Sequence, residues 1–186
     1  MTDNLDEIIA GCINEDSKSQ EELYRLLSPV MYNVCLQYAS DHDEAKDFLQ
    51  EGFINVFTKI KSFRHEGSFE GWVRKIIVNT ALQFLRKKKQ IYVIREELTE
   101  DKDHDITEID FELNEEDLLG MIQGLTVNQR IVFNLYAIEG YNHAEITELT
   151  GIPENTSKSH LHRARVSLKE MIKKRNTSEP RKKRNA

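Results

Sequence analysis

The sequence predicts an all-α protein of two small domains: a three- to four-helix N-terminal domain and a C-terminal four-helix domain with a helix-turn-helix, joined by a flexible acidic linker. Three observations carry this expectation. Apolar residues recur at three- and four-residue spacing over long stretches, as amphipathic helices require. One stretch between them, "EELTEDKDHDITEIDFE", residues 96–112, has no sustained period. Charge is also blocked rather than mixed: the nets are −8 for residues 1–70, +7 for 71–95, −11 for 96–118, −2 for 119–150 and +8 for 151–186. A chain of formal net charge −6 therefore carries two basic segments separated by an acidic one.

The totals bound the rest. At 186 residues and 39% hydrophobic composition, compact cores of modest size are within reach. No apolar run approaches the roughly 18 residues of a spanning helix, and "MTDNLDEIIAGC" is acidic where a signal peptide is basic. The expectation is a cytoplasmic protein with no membrane insertion. Cys12 and Cys35 form no CxxC pair, so a disulfide framework or zinc site is not expected and both thiols read as buried or incidental.

The elements follow in order. A short segment around Leu5 to Cys12 packs beside three long helices. Ser17 with Gln20 fits a capping box, after which Leu23, Leu26, Leu27, Val30, Met31, Val34, Cys35 and Tyr38 give a helix over about 18–39. Asp41 with Glu44 offers a second box, and Ala45, Phe48, Leu49, Gly52, Phe53, Val56, Phe57 and Ile60 continue the period. Ser68 caps a third helix whose inner side is Phe69, Trp72, Val73, Ile76, Ile77, Thr80, Ala81, Phe84 and Leu85. Residues 96–112 repel one another and read as a flexible linker, with a helical tether as the alternative. Leu118, Leu119, Ile122 and Leu125, then Ile131, Val132, Leu135, Tyr136 and Ile138, give two helices that break at Gly124 and Gly140. The expected organisation is residues 1–94, a linker over 95–112, residues 113–175, and a basic disordered tail over 176–186.

The sharpest local motif is "YNHAEITELTGIPENTSKSHLHRAR". Asn142 with Glu145 gives a cap and its partner, Ala144, Ile146 and Leu149 an apolar face, and Gly151 a left-handed end. Pro153 starts a second helix with Leu161, Ala164, Leu168 and Met171 or Ile172 inward. A short helix, a glycine turn and a longer helix match the helix-turn-helix, whose second helix enters the major groove. Asn155, Lys158, Ser159, His162 and Arg163 are left on or near the outer face, where they can donate to base edges and phosphates.

The N-terminal half offers a second set of candidates. Arg74, Lys75, Arg86, Lys87, Lys88 and Lys89 can neutralise phosphates. The loop "SFRHEGSF", residues 62–69, brings Phe63, Arg64 and His65, side chains that can stack on or bond to an unpaired base. Asp47 and Glu51, four apart, share a helix face that can meet basic residues of a protein partner. Trp72 reads as core or as a stacking platform. Catalysis has little support: the chain lacks a GxxxxGK[ST] loop, HExxH and GxSxG. His160 and His162 lie on different helix faces, so no metal, cofactor or catalytic residue is expected. On the residues alone, a helix-turn-helix regulator with a sensing or dimerising N-terminal half, and a helical adaptor that does not bind DNA, stay open. Salt-dependent duplex binding separates these two.

"LTVNQRIVFNLYAIEGYNHAEITELTGIPENTSKSHLHRARVSLKEMI" resembles the promoter-binding C-terminal domain of bacterial RNA polymerase sigma factors, in the small two-domain extracytoplasmic-function group of the sigma-70 family. "DEAKDFLQEGFINVFTKIKSF" is similar to that family's core-polymerase-binding helix, with Asp47, Gln50, Glu51 and Phe53 at matching positions. "SFEGWVRKIIVNTALQFLRKKK" is similar to its promoter-melting helix, with Trp72, Asn79 and Arg86 in place. The resemblance implies a transcription initiation factor whose partners are the coiled coil of the polymerase largest subunit, promoter DNA and an anti-sigma factor. It implies that Asn79 and the 62–69 loop, with Phe63, Arg64 and His65, hold an exposed base of the melted minus-ten element beside Arg86 and Lys87. Asn155, Lys158, Ser159, His162 and Arg163 would read the minus-thirty-five element. Departures exist: Gln83 stands where the family often has Asp, His160 replaces a common Arg, and the usual Gly-Thr-Val entry to the recognition helix is Asn155-Thr156-Ser157. These bear on which promoter is read.

Overall fold

The computed structural model describes residues 2–88 and 115–178, all helical or short turns. The expected linker over 95–112 and the end of the expected tail lie outside the described residues. The chain divides after Lys89 into two compact units.

The first unit contains α1 (Thr2–Ile13), α2 (Ser17–Tyr38), α3 (His42–Lys59), a 3₁₀ turn (Ile60–Ser62) and α4 (Phe69–Lys87). Helices α2, α3 and α4 pack against one another, and α1 lies against α2 and the 3₁₀ turn. Leu23, Met31, Phe48, Ile77 and Leu85 are fully buried between them, each worth roughly 1.5–3 kcal/mol of transfer from water. Because α4 touches both α2 and α3, it buries Val78 and Leu82 beyond the single stripe expected. Gly52 is where α3 comes closest to α4: a Cβ there would stand 2.4 Å from the Ile77 Cδ1.

The caps refine the sequence reading. Helix α2 is capped by Asp16, whose carboxylate accepts from the Ser19 N–H at 2.8 Å, so the expected Ser17–Gln20 box gives way to an Asp cap one residue earlier. Leu26 and Val30, expected in the apolar stripe, are exposed. The α3 cap is Asp41, accepting from the Asp43 and Glu44 N–H groups, but the Glu44 carboxylate turns back one residue further, to the Ser40 N–H at 2.7 Å. Ser68 caps α4 as expected, accepting from Gly71.

The second unit contains α5 (Glu115–Gln123), α6 (Val127–Phe133), a π-helical segment (Asn134–Ile138), α7 (His143–Thr150) and α8 (Glu154–Ser178). Helix α8 is its spine, contacted by α5, α6 and α7. Leu125, Ala164 and Leu168 form one cluster with Met121 and Phe133 packed on it, and Ile131, Leu135, Ile146 and Ile152 are fully buried. The expected stops hold: both Gly140 and Gly151 have φ +78°, which only glycine adopts without a steric cost. Helix α8 reaches Ser178, into the stretch expected as tail. Among the described residues no helix is long and apolar enough to cross a membrane.

Candidate functional sites

The helix-turn-helix is built by α7 and α8. Asn142 Oδ1 accepts from the Glu145 N–H at 3.0 Å, and Glu145 Oε2 accepts from the Asn142 N–H at 2.8 Å, so both halves of the capping box form. Nine residues after Asn142, Gly151 ends α7, its N–H donating to the Thr147 carbonyl. The turn is tied by Thr150, whose hydroxyl donates to the Ile146 carbonyl and accepts from the Ile152 N–H. Ala144, expected on the apolar face, is exposed.

On α8, Asn155, Lys158, Ser159, His162 and Arg163 fall within an arc of about 140° at 100° per residue. Asn155 and Lys158 are exposed and the other three half-buried. Ser159 donates its hydroxyl to the Asn155 carbonyl at 3.1 Å, leaving its lone pairs outward. Sequence reading missed the opposite side of the first two turns of α8. Thr156, Ser157 and His160 are buried, a polar inner face where periodicity looks for apolar residues. Around it, the Ser157 hydroxyl lies 2.9 Å from His143 Nδ1, the His143 ring stacks on Tyr136, and the Arg165 guanidinium sits 5.8 Å from the Tyr136 ring centre. Burial, then the Lys158 charge, holds the His143 imidazole below its usual value, with Arg165 acting in the same direction and Glu154 opposing.

In the first unit, a cleft of about 300 Å³ opens between the 62–68 loop and the first turn of α4, lined by Phe63, Arg64, Glu66, Gly67, Trp72 and Lys75 among others. Its two aromatic linings, Phe63 and Trp72, lie 5.5 Å apart between ring centres, and behind them Phe63 also meets His65 at 4.6 Å and Phe69 at 5.0 Å, neither of which lines the cleft. Trp72 is therefore half core and half lining. His65 takes φ +57°, a left-handed conformation that turns the loop back toward the helix. From the cleft, the exposed strip Lys75, Asn79, Gln83 and Arg86 runs down α4, with Lys87 beside it. Lys88, expected among the phosphate cations, pairs instead with Glu44 at 2.9 Å. Burial raises the Glu44 carboxyl, but the Ser40 N–H and Lys88 outweigh it and leave it below the usual carboxylate value.

On α3, Asp47, Gln50 and Glu51 are exposed on one face, and exposed Ile54 extends it. Phe53 is not on that face. It is 2% exposed, with its ring edge-on to Tyr24 at 4.7 Å. Expected beside Asp47, Gln50 and Glu51, it lies instead about 120° round the helix from Asp47, six residues on, and seats α3 in the core. Among the described residues no group of His, Cys, Asp and Glu could hold a metal ion.

A helix-turn-helix with a basic outer face, and a second helical unit with a basic strip leading from an aromatic cleft, define a two-module DNA-binding protein. Family comparison is specific. The model for sigma-70 region 2 matches residues 23–91 and that for sigma-70 region 4 matches residues 115–168, together more than half of the chain. The RNA polymerase sigma factor SigV of Bacillus subtilis (strain 168) is 28% identical over 152 residues, 79% of this chain and 87% of that protein. The ECF RNA polymerase sigma factor SigE of Mycolicibacterium smegmatis is 30% identical over 166 residues, 84% of this chain and 62% of that protein. Among solved structures, the sigma factor RpoE of Bartonella quintana, crystallised with the anti-sigma factor NepR, shares the fold with a TM-score of 0.50 at 21% identity, over 82% of this chain and 96% of that one. The chain belongs to the sigma-70 family, in its extracytoplasmic-function group. It is a promoter-specific transcription initiation factor that acts with core RNA polymerase on promoter DNA, and it is not an enzyme.

Proposed function

We propose that the two units divide promoter recognition between them, residues 1–94 taking the polymerase and the minus-ten element and residues 113–175 the minus-thirty-five element. Asn155, Lys158, Ser159, His162 and Arg163 meet base edges and phosphates in the major groove. An unpaired minus-ten base enters the cleft, against Phe63 and Arg64, with His65 at its margin beside Phe63, Asn79 holding the adjacent strand and Arg86 and Lys87 on its phosphates. Asp47, Gln50 and Glu51 meet basic residues of the coiled coil of the polymerase largest subunit, and Ile54 adds apolar contact. The observation that carries this reading is the aromatic cleft opening onto the exposed Lys75–Asn79–Gln83–Arg86 strip: aromatic faces stack on bases and the strip follows a backbone.

The relative bound to an anti-sigma factor supports a similar partner for this chain, and action with core polymerase supports a cytoplasmic location. Transcription in vitro with purified core polymerase on a genomic library tests the function and yields the promoter. Asn79→Ala then tests the division of labour. Permanganate footprinting at matched occupancy should show reduced melting with recruitment retained; normal melting would remove Asn79 from the site.

A further inference from the structure

We infer that His143 and Ser157 form a positioning joint for minus-thirty-five reading: the bond between them sets the rotation at which the outer face of α8 meets the base edges. This rests on the reading of α8 proposed above. Ser157 is fully buried, and a buried hydroxyl needs a partner. Its partner comes from the other helix of the motif, His143 Nδ1 at 2.9 Å, fourteen residues away. His143 is the first residue of α7, and its ring is stacked on Tyr136 of the π-helical segment at 4.8 Å and 23°. The imidazole is thus held by its face and bonded by its edge, so one helix-to-helix orientation keeps the Ser157 hydroxyl within reach.

The apolar contacts of α8 do not supply that restriction. Leu161, Ala164 and Leu168 resist separation, but burial is non-directional and tolerates a small rotation. A hydrogen bond weakens steeply with misalignment. Rotation of α8 by 10° moves its surface by about 1 Å at a radius of about 5–6 Å, enough to spoil a base contact while leaving the core filled. Lys158 and Ser159 follow Ser157 directly in the chain and move with it. The charge state suits the role. The groups facing the ring are Lys158, Arg165 and Glu154 on α8 and Tyr136 on the π segment, and their balance with burial favours the neutral imidazole. The positive end of the α7 dipole acts in the same direction.

The test uses the full chain assembled with core polymerase: wild type, His143→Phe, Ser157→Ala, the double variant and His143→Asn. Each selects from promoters with a randomised minus-thirty-five segment, and melting temperatures are measured in parallel. His143→Phe keeps the stack and loses the bond; His143→Asn places an amide near the position of Nδ1. The expected result is a loss of preference for the wild-type element over a scrambled one of about threefold to tenfold in each single variant, with the double no worse than the worse single, as coupled groups show. His143→Asn recovers most of the preference, and binding to the scrambled element is unchanged throughout. Preference intact in both single variants, whatever their melting temperatures, overturns the joint. So do equal losses on selected and scrambled elements, which would make His143 a phosphate contact. A wild type that enriches no element removes the DNA-reading assignment itself, and that outcome is visible before any variant is compared.

Discussion

The two units solve the same problem, presenting a face to a partner, with different interiors. In the first, α3 and α4 bury mainly aliphatic and aromatic side chains such as Phe48, Ile77 and Leu85, with Glu44 and Thr80 as buried polar exceptions, and their outer strips are what remains. In the second, the first two turns of α8 bury Thr156, Ser157 and His160 beneath Asn155 and Lys158. An apolar interior holds a helix down; a polar one with a specific partner also sets its rotation. On the proposed division of labour, the first unit would track a backbone and tolerate small shifts, whereas α8 would have to place donors against particular edges.

The largest effect expected from this contrast is on the first unit. Phe48 is fully buried and its ring lies 5.5 Å from Phe84 of α4. Phe48→Ala should destabilise that unit by about 3–5 kcal/mol, measured by calorimetry or denaturant unfolding. A cost below 1 kcal/mol would mean that the α3–α4 interface is not the close-packed core described.

Periodicity made that interior legible. The stripe from Ala45 to Ile60 was expected inside, and all but half-buried Phe57 is buried. The Asn142–Glu145 box and the Gly151 stop were equally readable, because both depend on bonds within a few residues. What could not be read depends on partners distant in sequence. Phe53 was placed inside by that period and on a partner face by the family match, and its ring contact with Tyr24, 29 residues away, keeps it in the core. Lys88 belonged to a basic run, but it faces Glu44 across 44 residues of chain. Ser157 looked like a departure from a family motif, and only the fold brings His143 to it.

Next in size is the Glu44–Lys88 pair, which ties the start of α3 to the end of the basic helix. The buried carboxylate accepts from the Ser40 N–H and from Lys88. Lys88 is held above its usual value by Glu44 first, with Asp47 and Asp41 adding. Glu44→Gln should cost about 1.5–3 kcal/mol near neutral pH, the range for hydrogen bonds to charged groups. The folded-state carboxyl lies below its ordinary 4.5, so its contribution is complete above that pH and is lost as pH falls from there through the folded value. Stability curves for wild type and Glu44→Gln should converge in acid; a constant gap down to pH 2 would show that the loss is not one of charge.

A comparable effect is expected on DNA rather than on the fold. Arg163, on the reading arc of α8, should discriminate bases, while Lys169, farther along, should at most touch phosphate. Arg163→Ala is expected to lose about 1–3 kcal/mol of discrimination at one or two minus-thirty-five positions. Lys169→Ala should weaken all sites alike and lower the salt slope by about one unit. Identical selected sequences from wild type and Arg163→Ala would pass the reading role to Lys158, Ser159 or His162.

The smallest effect tests the polar interior by pH. In the folded protein His143 lies below its ordinary 6.5, because burial and Lys158 disfavour the cation. A base whose folded value is depressed favours the folded state most when neutral. Its contribution is therefore complete above about pH 6.5, begins to fade as pH falls through that value, and levels out below the folded one. Wild type should show a shallow loss of stability in this window, on the alkaline side of the Glu44 transition, and His143→Phe should remove that increment while leaving the Glu44 transition in place. The two windows assign the two interiors separately, because Glu44 belongs to the first unit and His143 to the second. If the shallow loss persists unchanged in His143→Phe, a different group is titrating, and the packing of α7 against α8 does not hold His143 neutral.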